Sequence, residues 1–449
     1  MADHFVSVVD LPEGGEKFDT AKVSKLSRML LIVGGIGSII SLLVLIGLFG
    51  ESAQERYAYS WLFGFSVIFS ITIGGFFWVL LHHAINAGWG IAVRRIWENL
   101  ARLLPILFFF GIPFFFPSVQ NALWEWMADH REVSAHIAEA TQAAKEAGDT
   151  EYVKESLEEA LLHDHKILEY EKYEYLNIPF WTLRFIFYFA SMSAVLYFLL
   201  KWPLLQEKDG LLKHTFSTRR LACGGLPIFG VSLTFWAIDF LKALDYTWFS
   251  TMWGVYIFAG CAWSSMAVSI LILNFLRSQG YMKQVVTPEH YHLMGKLLFA
   301  FTIFWAYIAY DQFFLIWYAN ITEETKFYLI RNTDGWHHLS ILLFVGHFVI
   351  PFIALLFVWL KKNPKLIGIV CGWILFMHLV DHYWIIIPER GVSIYDEARV
   401  TAPGAWFGDI FALVTFVASF GHLFLRGLGN HSLYPWRDPR LQESINVSN

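Results

Sequence analysis

Charge is scarce in this chain. Asp, Glu, Lys and Arg make up 16% of its 449 residues, against about 25% in an average soluble domain. A soluble protein this poor in charge cannot cover its surface. That overrides the prior of about three soluble domains that length alone would give. Cysteine is scarcer still. Cys223, Cys261 and Cys371 lie far apart in apolar runs, with no CxxC, CxxCH or ferredoxin spacing. No c-type haem or iron–sulfur cluster is therefore expected on this chain, and each thiol reads as a small buried hydrophobe. The sequence has no HExxH or Cys/His spacing for zinc, and no P-loop or GxGxxG opens a helix. Metal and nucleotide chemistry are thus unsupported. The first 25 residues hold no apolar core of a cleavable signal, so the first span is expected to direct insertion. A net charge of −5 argues against nucleic acid as a partner.

Apolar matter is abundant. Hydrophobic residues reach 56% and aromatics 18%, including 42 Phe, 20 Trp and 19 Tyr. This fits membrane spans with aromatic interfacial belts, and excludes disorder, collagen and a small disulfide scaffold. Runs of about 20 apolar residues mark helices that cross a hydrocarbon core of about 30 Å. Ten occur, near 27–50, 57–82, 97–117, 178–200, 221–243, 249–276, 292–318, 336–360, 366–388 and 403–427. An all-α polytopic membrane protein follows. Pro105, Pro113 and Pro117 interrupt the third run and predict a kink there.

With the N-terminus inside, the inner segments hold 21 Lys and Arg and the outer ones 11, five of those in one long loop. The bias places both termini in the cytoplasm. Arg184, near the start of span four, is the one basic residue left over. Three parts are expected: a polar cytoplasmic segment over 1–26, a transmembrane domain over 27–427, and a loosely ordered cytoplasmic tail over 428–449. Within the domain, the loop 118–177 carries five basic and fourteen acidic residues. It reads as an acidic extracytoplasmic pair of helices around Gly148-Asp149. Such a hairpin either docks a basic partner such as a cytochrome or simply packs on its neighbours.

Ionisable groups inside spans are costly, about 2.5–3.5 kcal/mol for a central carboxylate. Span five reads FWAIDFLKALD with Asp239, span seven FWAYIAYDQ with Asp311, and span nine FMHLVDHYW with Asp381. Each acid lies roughly 23–27 Å along the axis from the inner end of its span, so the three are expected at one level towards the outer leaflet. His378, Asp381 and His382 share a face at i, i+3, i+4, as do Tyr307 and Asp311, and Trp236 and Asp239. Span eight lines up His337, Ser340, Phe344 and His347, with His347 lacking an evident partner at its depth. Asp409 enters span ten from outside. His82-His83 and His422 read as interfacial, and Lys242 with Asp245 as an interfacial ion pair.

Any one of these residues alone is explained as well by structural glue between helices. Gathered at one depth, they suit proton handling, because burial brings carboxylates and imidazoles closer to neutrality. The relay candidates are Asp239, Asp311, His347, His378, Asp381, His382 and Asp409. Quinol oxidation needs an apolar slot and acceptors for two protons, which nominates Trp236, Asp239, Tyr307 and His378 as quinone-binding candidates. Haem b is the rival cofactor, but the histidines do not form an obvious axial pair.

The stretches HHAINAGWGIAVRRIWENL and SLTFWAIDFLKALDYTWFSTMWGVYIFAG, with the ten-span pattern, resemble the NrfD-like (polysulfide-reductase-like) membrane subunits. More narrowly, they resemble the second such subunit of bacterial alternative complex III, a quinol:cytochrome c oxidoreductase. The likeness covers about 27–427 and is most telling from Ser232 to Gly260, where Asp239, Trp248, Phe249 and Ser250 stand in the expected order. It implies two four-helix bundles with flanking helices, in a bacterial inner membrane. It also implies an iron–sulfur subunit, c-type cytochrome subunits and a sister NrfD-like subunit as partners, with a terminal oxidase and lipids as further associates. Haems and clusters would reside in those partners, and the quinone would be menaquinone or ubiquinone. Two other readings stay open at this point: a proton-conducting or scaffolding sister subunit with no quinone site, and an independent secondary transporter, which the lack of paired Gly/Pro-broken spans disfavours.

Overall fold

The computed structural model describes residues 7–131, 174–333, 335–391 and 405–448, with 134, 135, 138, 142 and 172 between them. Ten helices are long and apolar enough to cross a membrane. They are spans 1 (Thr20–Leu45), 2 (Glu51–Ala84), 3 (Arg94–Phe115), 4 (Ile178–Asp209), 5 (Lys213–Leu244), 6 (Trp253–Ser278), 7 (Pro288–Ala319), 8 (Trp336–Leu356), 9 (Pro364–Arg390) and 10 (Trp406–Leu428). Among the described residues there is no strand, only an isolated bridge between Lys17 and Ser432. The chain is an all-α, multi-pass membrane protein.

Helix packing sorts the spans. Spans 2, 3, 4 and 5 pack as one bundle, and spans 6, 7, 8 and 9 as a second. Span 2 also packs along span 6 and against span 9, which joins the bundles, while spans 1 and 10 pair on its flank. Burial follows the same order. The most apolar window of span 2 is 89% buried and that of span 1 is 22% buried, so span 2 is the shared axis and span 1 faces lipid. Small residues allow that close packing. A Cβ at Gly74 would lie 2.0 Å from the Cys261 carbonyl oxygen of span 6, and one at Gly34 would lie 2.7 Å from the Ser419 amide of span 10.

Span 3 is broken where its prolines fall. Arg94–Ala101 and Leu104–Phe110 are separate α-segments, followed by a 3₁₀ turn at Ile112–Phe115 and a short helix at Pro117–Leu123. Pro105, Pro113 and Pro117 each sit at the first turn of a segment, where a missing amide costs nothing. Span 8 changes pitch: Leu343–Val349 is a π-helical stretch within it.

The flanks depart from the sequence expectation. Leu433, Tyr434, Leu441 and Ile445 of the tail are buried, as are Leu11 and Phe18 of the N-terminal segment. The Leu433 amide donates to the Glu16 carbonyl at 2.7 Å, and the Val8 amide donates to Gln442 Oε1 at 2.8 Å. Both termini therefore clasp one end of the bundle. Their overall polarity masked a few apolar residues spaced to dock. Cys261 and Cys371 are buried as expected, whereas Cys223 is exposed on the outside of span 5. The two-helix reading of 118–177, with its Gly148-Asp149 turn, falls mostly outside the described residues.

Candidate functional site

Span 9 presents His378, Asp381 and His382 to the interior, all at most 2% exposed. His347 reaches the same place from the π-helical stretch of span 8 and is fully buried. Ligand atoms of His347, His378 and Asp381 lie within 4.8 Å of one another, with His347 Nε2 4.0 Å from Asp381 Oδ2. Span 8 thus supplies a neighbour for Asp381 that the linear pattern did not show. Donor chemistry of this kind suits a transition metal, although no sequence spacing announced it.

The hydrogen bonds define what these groups still offer. Ser70 Oγ of span 2 donates to the Val67 carbonyl at 2.7 Å, so it accepts from His378 Nε2, also 2.7 Å away. His378 Nδ1 is then a free acceptor. His382 Nδ1 lies 3.2 Å from the His378 carbonyl and must donate to it, leaving Nε2 as acceptor. Tyr256 Oη of span 6 donates to Asp381 Oδ1, and Oδ2 faces His347 Nε2. Neither ring nitrogen of His347 has a hydrogen-bond partner among the described residues. Its ring is held between Trp305 and Trp263, with centroids 3.7 and 4.1 Å away. The pocket is therefore rich in unmet acceptors in a setting where leaving them unmet costs free energy. Gly260 of span 6 lies against the His378 ring, where a Cβ would make ordinary contact at 3.4 Å.

Apolar cavities flank this cluster. One of 770 Å³ is walled by aromatic side chains including Trp253, Tyr256, Trp305, Tyr307, Phe344 and Trp384. Tyr307 is 63% exposed, so the cavity opens at the lipid-facing surface. Tyr256 is the point of contact, because its ring lines the cavity and its hydroxyl bonds to Asp381. A second cavity of 360 Å³, between spans 2, 3, 6, 9 and 10, has His378 in its wall. His337, Ser340 and Phe344 of span 8 line the larger cavity, but His347 turns away from it into the cluster.

Asp239 stands elsewhere. It is 1% exposed and pairs with Arg184 of span 4, Nε to Oδ2 at 2.8 Å and a terminal nitrogen to Oδ1 at 2.9 Å. Tyr188 donates to Oδ2 at 2.7 Å and Tyr175 to Oδ1 at 3.0 Å. Burial and the adjacent carboxylate hold the Tyr175 hydroxyl protonated, well above its usual range. The expectation that Asp239 joins Asp381 at one site is corrected: four donors occupy its oxygens, and Arg184 is the reason. Trp236 likewise stacks on Phe69 at 3.8 Å inside the first bundle. Asp409 is also engaged, accepting from Arg390 at 2.6 and 3.2 Å, Ser60 at 2.6 Å and Tyr383 at 3.2 Å. Asp311 is half-buried and makes no hydrogen bond or ion pair among the described residues. It lies outside the trio of His347, His378 and Asp381.

At the end opposite the termini lies a polar cavity of 480 Å³, bordered by Glu55, Arg56, Asp245, Lys326, Glu389 and Arg390. Asp245 pairs there with Lys326 at 3.1 Å rather than with Lys242. Burial opposes its charge, but the Thr247 hydroxyl and Lys326 outweigh that and hold the carboxylate below its usual range. His422 meets Ser27 Oγ at 2.9 Å near the other end. His82, expected at an interface, is buried, with its ring 4.4 Å from that of Trp97.

Sequence reasoning missed Tyr256, Ser70, Trp263 and Trp305 at the cluster, and Tyr188 and Arg390 at the ion pairs. Tyr256 falls within the WGVYIFAG stretch that carried the resemblance, but nothing in its spacing pointed to Asp381. No family model matches this chain, and no curated protein matches it.

Proposed function

We propose that this chain is a membrane subunit of a respiratory quinol oxidoreductase, and that quinol enters the aromatic cavity beside Tyr256. The observation that carries this reading is the double role of Tyr256, with its ring in the wall of the 770 Å³ cavity and its hydroxyl on Asp381. An apolar slot for a ring and isoprenoid tail meets a proton acceptor through one side chain. The unpartnered ring nitrogens of His347, His378 and His382 around Asp381 complement the protons a quinol releases.

Quinol gives up two electrons and two protons and becomes quinone. A quinol hydroxyl hands its proton to Tyr256 Oη as the tyrosine proton moves to Asp381 Oδ1; Asp381 passes it to His347, 4.0 Å away, and the proton of the second hydroxyl then follows the same path to Asp381. Both electrons leave to one-electron acceptors in a partner subunit. The resemblance to NrfD-like subunits, and narrowly to alternative complex III, supports this assignment. It supplies an iron–sulfur subunit, c-type cytochromes and a sister subunit as partners. The bias of basic residues and the shared end of both termini support a bacterial inner membrane orientation with that end cytoplasmic.

The test is titration of the purified assembly with a quinone-site inhibitor and assay of quinol turnover, comparing Asp381→Asn and Tyr307→Ala with the parent. The expected result is lost turnover in the first and weakened inhibitor binding in the second. Unchanged inhibitor affinity with altered proton uptake would instead favour the sister reading, a proton-conducting subunit with no quinone site. That reading draws on the same unpartnered His347.

A further inference from the structure

A groove of 390 Å³ lies at the end of the bundle that holds both termini. Tyr197, Leu200, Lys201, Leu204, Leu205 and Lys208 of span 4 line it, together with Arg102 and His431. The span 4 residues recur at i, i+3, i+4, i+7, i+8 and i+11, so they form one continuous helix face. That face is not closed off by protein, since Tyr197 is 57% exposed and Lys201 and Lys208 are exposed as well. Apolar side chains line its length, and the basic ones project from the same stripe.

The basic groups of the groove meet no acid in its wall, although Glu98 and Glu207 act on Arg102 from behind it. Its lining includes Arg102, Lys201 and Lys208 and no carboxylate. The nearest acids are already engaged, Glu98 by Arg94 and Arg95, and Glu207 by Arg95. None of Arg102, Lys201 and Lys208 forms a salt bridge among the described residues; Lys201 Nζ instead hangs 5.4 Å from the Tyr197 ring. Burial first, and then the positive field of Arg102, Arg95 and Lys17, pushes His431 down to about 4. Three basic side chains and no acid in the wall make the groove electropositive.

We infer that this groove is a binding site for an anionic phospholipid, whose phosphate sits among Arg102, Lys201 and Lys208 while an acyl chain lies along Leu200, Leu204 and Leu205. The position suits that ligand, because basic pockets between helices near the membrane surface recognise such headgroups. A phosphate accepts several charge-assisted hydrogen bonds from Arg and Lys. The long stems of Lys201 and Lys208 reach the interface from an apolar helix face, as snorkelling side chains do. Charge complementarity commits the site to an anionic lipid over a zwitterionic one. The joint with the tail gives the lipid a structural consequence, since His431 and Arg437, which donates to the Lys208 carbonyl at 2.7 Å, hold the C-terminal segment against the same helix.

The experiment uses the full chain, delipidated in neutral detergent, and reads its melting midpoint and the lipids it retains in native mass spectrometry. Phosphatidylglycerol or cardiolipin should raise the midpoint saturably, and phosphatidylcholine should not. Lys201→Gln with Lys208→Gln, both exposed and so tolerated by the fold, should weaken that binding roughly tenfold. Lys365→Gln, an exposed cation at the same end but outside the groove, should leave it unchanged. Equal stabilisation by phosphatidylcholine overturns the proposal. So does wild-type affinity in the double variant, or displacement of the lipid by inorganic phosphate alone, which would mark a simple anion site.

Discussion

Asp239 and Asp381 look like equivalents, each a lone acid in an aromatic span near the same end of the molecule. Their surroundings differ in kind. Asp239 in the first bundle meets a bidentate guanidinium and two tyrosine hydroxyls. Asp381 in the second meets one tyrosine hydroxyl and imidazoles with spare nitrogen atoms. The first carboxylate has its charge neutralised and every oxygen used, so it fixes spans 4 and 5 together. The second has no cation against it and lies beside imidazoles able to change protonation. Depth and residue type are therefore poor guides to role inside a membrane; the number of donors already committed is the better one.

The largest expected effect breaks the first of these sites. Arg184→Gln leaves Asp239 buried and uncompensated, which should cost about 3–5 kcal/mol and show as lost yield and a lowered melting midpoint in detergent. Adding Asp239→Asn to it should recover much of the loss. Asp381→Asn should do the opposite, with a midpoint close to wild type and quinol turnover down by about 10²-fold or more. If Asp239→Asn abolishes turnover in a well-folded protein while Asp381→Asn does not, the contrast is reversed. Tyr256→Phe removes one hydroxyl and keeps the ring, so turnover should fall by about tenfold with inhibitor affinity retained.

The smallest effect concerns Asp245, whose partner Lys326 is exposed. The carboxyl of Asp245 is held below its usual range in the folded chain. Its contribution is therefore present above the unfolded value of about 4, and is lost as pH falls through the lower folded value. Lys326, 48% exposed on its side chain, should contribute about 0.5 kcal/mol after solvent screening. Lys326→Ala should flatten the fall in melting midpoint at acid pH by that small amount.

The ten spans were legible because bilayer thickness sets a length that any apolar run must meet. The kinks of span 3 were legible because proline acts locally. Partnership was not. Arg184 was visible only as a basic residue that fitted no loop, and its target lies on the next span at Asp239. The i, i+3, i+4 pattern placed His378, Asp381 and His382 on one face, but it could not show that Ser70 and Tyr256 approach that face from spans 2 and 6. His347 lay hidden for a different reason. A heptad-like count along span 8 puts it in line with His337 and Phe344, whereas the wider pitch of Leu343–Val349 swings it away from them.

That wider pitch has a consequence for how such chains diverge. A π-helical stretch amounts to one residue inserted into an α-helix, and each helical residue turns the chain by about 100°. Deleting a single residue from the α-helical turn just ahead of that stretch, at 339–342, would turn His347 by about 100° relative to the start of span 8 and out of its tryptophan sandwich. Length, not substitution, would then separate descendants that keep the buried trio from those that lose it. A one-position gap in span 8, with every histidine still present, would mark a lineage in which this centre has been dismantled.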